Sequence, residues 1–166
     1  MYGVNAGVPK TLVRYLVGKF AESRGLAGRD FWVDHTPWNL RFAPFLREAF
    51  PHARFVHILR DGRAVAASVL KVPWGPASVK EAAGWWAQNL GAALAAEAAL
   101  PAASVTRVRF EDLVSRPEEE LGRLAGFLGL NFEPAMLKAD GFKILPASRV
   151  QHALVGQPPQ PGRAES

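Results

Sequence analysis

Apolar residues recur at helical spacing at Leu12, Tyr15, Leu16 and Phe20, which predicts an amphipathic helix over Val8–Arg24 ended by Gly25 and Gly28. Phe31–Thr36 reads as a short apolar strand stopped by Pro37, and Leu40–Phe50 as a helix closed by Pro51. Arg54–Arg60 is a second strand; its apolar run lacks strict alternation, which predicts a central position in a sheet. Gly62–Lys71 is helical, and the loop Val72–Ala77 carries Pro73, Gly75 and Pro76. Ser78 with Glu81 forms a capping box opening a long helix to about Leu100. Ser104–Phe110 alternates as a third strand. Ser115 with Glu118 repeats the capping box, with Pro117 in the first turn, and that helix ends before Gly129. From Pro146 the pattern is irregular.

Strands alternating with helices are βαβ crossovers, so the fold class is α/β with a parallel sheet covered on both faces. Ligands of such sheets sit at the carboxyl ends of strands, beside the helices that follow. The 166 residues fit one domain, with no internal repeat and no second unit.

Charge and composition narrow the function classes. The net charge of +5 admits a nucleic acid, a membrane or a phosphorylated small ligand. Its 20 Lys and Arg are scattered, without the basic block or aromatic interleaving of a nucleic-acid module, so no nucleic acid is expected. No apolar run is long enough to span a bilayer, and the first residues do not read as a signal peptide. With no cysteine there is no disulfide framework or thiolate metal site, which fits a cytoplasmic location, and no metal is expected.

Phe50–Ser68 (FPHARFVHILRDGRAVAAS) holds the most informative chemistry. A buried strand ends in Arg60, turns through Asp61 and Gly62, and enters a helix containing Ser68. Helix amino termini attract anions, and a guanidinium is a planar, permanently charged fork suited to phosphate oxygens. On chemistry alone, an ordinary strand–turn–helix with Arg60 and Arg63 in solvent accounts for the segment equally well. The segment resembles the 3′-phosphate-binding element of the sulfotransferase superfamily, in the form seen in tyrosylprotein sulfotransferases and related bacterial enzymes. That element is an apolar strand, Arg-Asp-Gly-Arg or a close variant, and a Ser eight residues after the first Arg; Arg60 and Ser68 fall on both positions.

The resemblance extends to both sides. Asp34-His35-Thr36-Pro37 stands where the wider family has a Lys-Thr-Pro-like element. Val108–Val114 (VRFEDLV), followed by Pro117, resembles the family's Tyr-Glu-Asp-Leu segment, and Gln151–Pro158 (QHALVGQP) resembles its cofactor-covering tail loop. The resemblance implies a P-loop NTPase-like three-layer fold and 3′-phosphoadenosine-5′-phosphosulfate (PAPS) as sulfo donor. It assigns cofactor binding to Arg60, Ser68, Phe110 and Gln151. Phe110 departs from the usual Tyr: its ring is able to stack on adenine but lacks the hydroxyl, and a core position on a strand is the plainer account. Cytosolic sulfotransferases have a His two residues before a Pro at the corresponding strand end, which makes His35 the candidate for catalysis. A neutral imidazole removes a proton from an attacking hydroxyl or amine near a pH of about 7. The tyrosylprotein branch has a Lys there, a cation for the transferring sulfuryl group, so His35 is open to either role or to a structural one. Asp34, next to it, is a candidate to orient it, although adjacent strand residues point to opposite faces. Trp85 and Trp86 read as helical packing, whereas Trp74, in the loop after the phosphate helix, is placed to meet a ligand. Arg63 and Lys71 read as solvated.

The family's Gly-rich loop for the 5′-phosphosulfate has no match. Gly3, Gly7, Lys10 and Thr11 lack its spacing and read as the start of a helix. The chain is therefore expected to be a single partial sulfotransferase domain over residues 1–166, without the first strand and phosphosulfate loop and shortened at the carboxyl end. The expected reaction, in an intact parent, is sulfo transfer to a hydroxyl or amine of a small-molecule or peptide acceptor. The alternatives are a non-catalytic 3′-phosphoadenosine-binding remnant and a P-loop kinase relative; the latter needs a Walker loop that is not found.

Overall fold

The computed structural model describes residues 10–26, 28, 31–36 and 39–138. Helix α1 (Lys10–Ser23) forms as its periodicity predicts, and Gly25 and Gly28 adopt positive φ beyond its end. Its apolar stripe is exposed: Leu12, Tyr15, Leu16 and Phe20 are all at least 44% accessible. Residues 31–36 do not form the expected strand. Apolar composition proposes a strand, but ladder hydrogen bonds make one, and this segment instead ends in a turn built by Asp34. A 3₁₀ turn (Asn39–Phe42) leads into α2 (Ala43–Ala49), so the predicted helix at 40–50 is present with a tighter first turn.

Strand β1 (Phe55–Leu59) and strand β2 (Val105–Arg109) pair in parallel, with Phe55 opposite Val105 and Leu59 opposite Arg109. Between them run α3 (Gly62–Val69) and α4 (Val79–Ala98); after β2 come α5 (Phe110–Ser115) and α6 (Pro117–Leu128). The fold is α/β, with helices on both sides of a parallel sheet. Residues paired across a parallel ladder share a face. On one face Phe55 packs with Ala43 of α2 and with Leu100, just beyond α4. On the other, Arg123 of α6 donates to Thr106 Oγ1 at 2.9 Å and to the Arg107 carbonyl at 2.8 Å.

That second face is covered only over β2. Val108 is 2% accessible, whereas Val56 and Ile58 of β1 are 37% and 59% accessible. Among the described residues β1 has one hydrogen-bonded neighbour and alternates between buried and open positions. No described helix is long and apolar enough to cross a membrane.

Local capping follows the sequence in one place and departs from it in another. Ser78 caps α4 by accepting the Glu81 amide at 3.2 Å, while the Glu81 carboxylate reaches back to the Ala77 amide at 3.0 Å. Ser115 does not cap α6. It is the last residue of α5, its hydroxyl turned to the Asp112 carbonyl, and the N-cap of α6 is Arg116. Two helices meeting head to tail left the hydroxyl with a nearer partner. Gly129 closes α6 at φ 73°.

The packing of α3 on α4 sets the position of the turn after β1. Ala66, Val69 and Ala82 form its buried cluster. The Trp86 ring lies against Gly62, where a Cβ would come within 2.9 Å of the ring. A Cβ on Gly75, in the loop after α3, would overlap the Val69 carbonyl oxygen. Farther along, α4 is fastened to both strands through Glu97. Its carboxylate receives the Nδ1–H of His57 from β1 and the guanidinium of Arg107 from β2, residues that are partners in the ladder. The ring nitrogen must carry the hydrogen, since a carboxylate has none to give. Burial alone would raise the Glu97 carboxyl pKa; the bonds from Arg107 and His57 outweigh it and hold the group below its ordinary value.

Candidate functional site

The carboxyl ends of β1 and β2 lie side by side, so the residues that follow them meet. Arg60 follows β1 and Phe110 follows β2, and the Arg60 guanidinium sits over the Phe110 ring, with Cζ 4.5 Å from the centroid. A cation above an aromatic face is held electrostatically by about 0.5–2 kcal/mol, more as it is desolvated. Arg60 Nε is shielded from solvent and has no hydrogen-bond partner among the described residues. A buried charged donor left unpaired is costly, and a phosphate oxygen is the kind of partner that relieves it.

The turn itself is tied down from two sides. Glu111, next to Phe110, accepts the Asp61 amide at 2.8 Å. Asp61 caps α3, accepting the Arg63 amide at 2.8 Å and the Arg63 side chain at 2.9–3.0 Å. Hydrogen bonds from the Arg63 side chain and amide hold the Asp61 carboxyl down at about 2. This modifies the expectation of a free helix terminus for an anion. The first amides of α3 are turned to Asp61, so the positive charge available at the strand ends is that of Arg60. Arg63 points away, its side chain 94% accessible and its charge met by Asp61.

Ser68 is exposed near the end of α3, seven residues beyond Asp61 and so on the same face of the helix, about 10 Å farther along its axis. No hydrogen bond joins it to Arg60 among the described residues. His35 is exposed in the segment before α2. Asp34 does not orient it: the Asp34 carboxylate accepts the Thr36 amide at 2.9 Å and the Thr36 hydroxyl at 2.7 Å, and those bonds lower its pKa. No described contact brings His35 to Arg60. Gln151, His152 and the tail that holds them lie outside the described residues. Trp86 packs on Gly62, as helical packing predicts, and Trp74 is 68% accessible in its loop. Of the residues expected to form a site, the structure therefore joins Arg60 and Phe110. It adds Glu111, whose role had no signal in the sequence beyond its place after Phe110.

A sequence model of the sulfotransferase family matches residues 9–134, a span holding β1, the turn at Arg60 and β2. The chain belongs to the sulfotransferase family. Among curated relatives it is 32% identical over 137 residues to nodulation protein NoeE of Sinorhizobium fredii NGR234, covering 70% of this chain and 32% of that protein. It is 30% identical over 107 residues to a putative protein-tyrosine sulfotransferase of Caenorhabditis elegans, covering 61% and 41% of the two. Its fold is similar to the sulfotransferase domain of the Synechococcus PCC 7002 olefin synthase, with a TM-score of 0.69 at 22% identity over 89% of this chain and 55% of that one. It is likewise similar to the sulfotransferase domain from the curacin biosynthetic pathway, with a TM-score of 0.61 at 24% identity over 76% and 47%. The chain thus spans 32–41% of the length of these curated relatives and about half that of the solved domains.

Proposed function

We propose that this chain supplies the 3′-phosphate-binding half of an enzyme that transfers a sulfo group from PAPS to a hydroxyl or amine. The observation that carries the reading is Arg60: a guanidinium at the carboxyl end of a parallel strand, stacked on Phe110, with a buried Nε that no described residue satisfies. In this reading Arg60 holds the 3′-phosphate and Ser68 adds a hydroxyl donor from α3. The face of Phe110 that Arg60 leaves free meets adenine, Gln151 closes over the nucleotide, and His35 serves the transfer as base or cation. Bound PAPS provides the activated sulfuryl group, and the acceptor is a small molecule or a peptide.

Titration calorimetry on the full chain tests this. Adenosine 3′,5′-bisphosphate binds more tightly than adenosine 5′-monophosphate by about tenfold or more, because charge-assisted bonds to the added phosphate contribute about 1.5–3 kcal/mol each. Equal affinities would remove the 3′-phosphate site. A turnover assay with PAPS in parallel separates an enzyme from a protein that only holds the nucleotide.

A further inference from the structure

We propose that Glu111 is a positioning residue for phosphate recognition, one that acts through the backbone of the β1–α3 turn. This rests on the assignment of Arg60 to the 3′-phosphate. Arg60 and Asp61 are consecutive, as are Phe110 and Glu111, so the segments leaving the two strands meet at two adjacent points. At one, the Phe110 ring supports the Arg60 guanidinium from below, 4.5 Å from Cζ. At the other, Glu111 Oε1 accepts the Asp61 amide at 2.8 Å in a half-buried setting.

A ring face alone fixes the height of a guanidinium and lets it slide and rotate, because the attraction has little directionality. The amide bond removes that freedom at its root. It fixes the peptide between Arg60 and Asp61, and with it the direction in which the Arg60 side chain leaves the backbone. The same bond sets the approach of Asp61 to α3, where Asp61 takes the Arg63 side chain and amide. Glu111 thereby keeps the competing carboxylate occupied on Arg63 and leaves Arg60 Nε without a partner among the described residues. Its own carboxylate, bonded to an amide and not to Arg60, does not neutralise the charge the ligand needs.

The test is a double-mutant cycle in the full chain, read as affinity for adenosine 3′,5′-bisphosphate. Glu111→Met keeps the bulk and loses the acceptor, whereas Glu111→Gln keeps a carbonyl oxygen for the Asp61 amide. Glu111→Met weakens binding by about tenfold, and Glu111→Gln stays within about threefold of the unsubstituted chain. In the Arg60→Ala background Glu111→Met has no further effect, since Glu111 acts only through Arg60. Additive losses, or equal losses for Met and Gln, overturn the proposal while leaving the Arg60 assignment in place. If Arg60→Ala itself binds as well as the unsubstituted chain, the assignment fails and the proposal with it. Should Glu111→Met not fold, by circular dichroism and urea unfolding, hydrogen exchange in the unsubstituted chain decides. Protection of the Asp61 amide supports the proposal, and exchange at the rate of an open turn overturns it.

Discussion

Replacing Glu97 by Ala removes the carboxylate that receives both His57 from β1 and Arg107 from β2. The two donors lose different amounts. The His57 side chain is 10% accessible, so its ring N–H is left buried and unpaired, at about 1–3 kcal/mol. Arg107 is 45% accessible and water takes the place of its partner, so its share is no more than about 1 kcal/mol. The loss is about 1–4 kcal/mol, set against the roughly 5–15 kcal/mol that holds a domain folded. Urea unfolding followed by the fluorescence of the five tryptophans measures it. Acid gives an independent reading. The folded Glu97 carboxyl lies below its ordinary value of 4.5, so its contribution is complete above that value and is lost as pH falls through the lower folded value. Glu97→Gln cannot titrate, and the stability gap between it and the unsubstituted chain therefore narrows as pH falls from the ordinary value of 4.5 through the lower folded value. A loss below about 1 kcal/mol for Glu97→Ala, or a gap indifferent to acid, would refute the reasoning.

Two further outcomes concern the site. Arg60→Ala weakens binding of adenosine 3′,5′-bisphosphate by about tenfold or more, while Arg63→Ala, removing a solvated group already paired with Asp61, changes it by less than about threefold; similar losses in calorimetry would mean that general charge does the binding. In an active enzyme containing this chain, His35→Ala lowers turnover by roughly a hundredfold and flattens the acidic limb of the pH–rate profile if His35 is the base. Rescue by His35→Lys identifies a cationic role instead, and unchanged turnover removes His35 from the reaction.

Much of the fold was legible because its signals are local. The Ser78 and Glu81 pair, the glycine after α6 and the apolar runs of β1 and β2 each specify backbone through neighbours a few residues away. Arg60 and Phe110 were named for one ligand by the family resemblance alone; their contact, with the strand ends side by side, is a finding of the structure. Two local signals misled. Residues 31–36 had strand composition but no ladder, and Ser115 had a capping-box pattern while already ending α5. What escaped altogether was polar pairing between distant elements. Glu97 lies 40 residues from His57, and Glu111 lies 50 residues from Asp61. Nothing near Glu97 in sequence distinguishes it from a solvated carboxylate, and the Phe-Glu-Asp-Leu segment marks Glu111 without revealing its partner.

The contact between Gly62 and Trp86 restricts how this region can change over generations. A side chain added at position 62 meets the indole at 2.9 Å, an overpacking worth about 1–3 kcal/mol. Shrinking the half-buried indole first removes its packing on α3, at a cost below the about 3–5 kcal/mol of losing a Trp from a closed core. Either single step lowers stability before the second restores it. The two positions thus exchange only through a weakened intermediate, and the glycine that begins the helix after Arg60 is held in place by a ring on another helix.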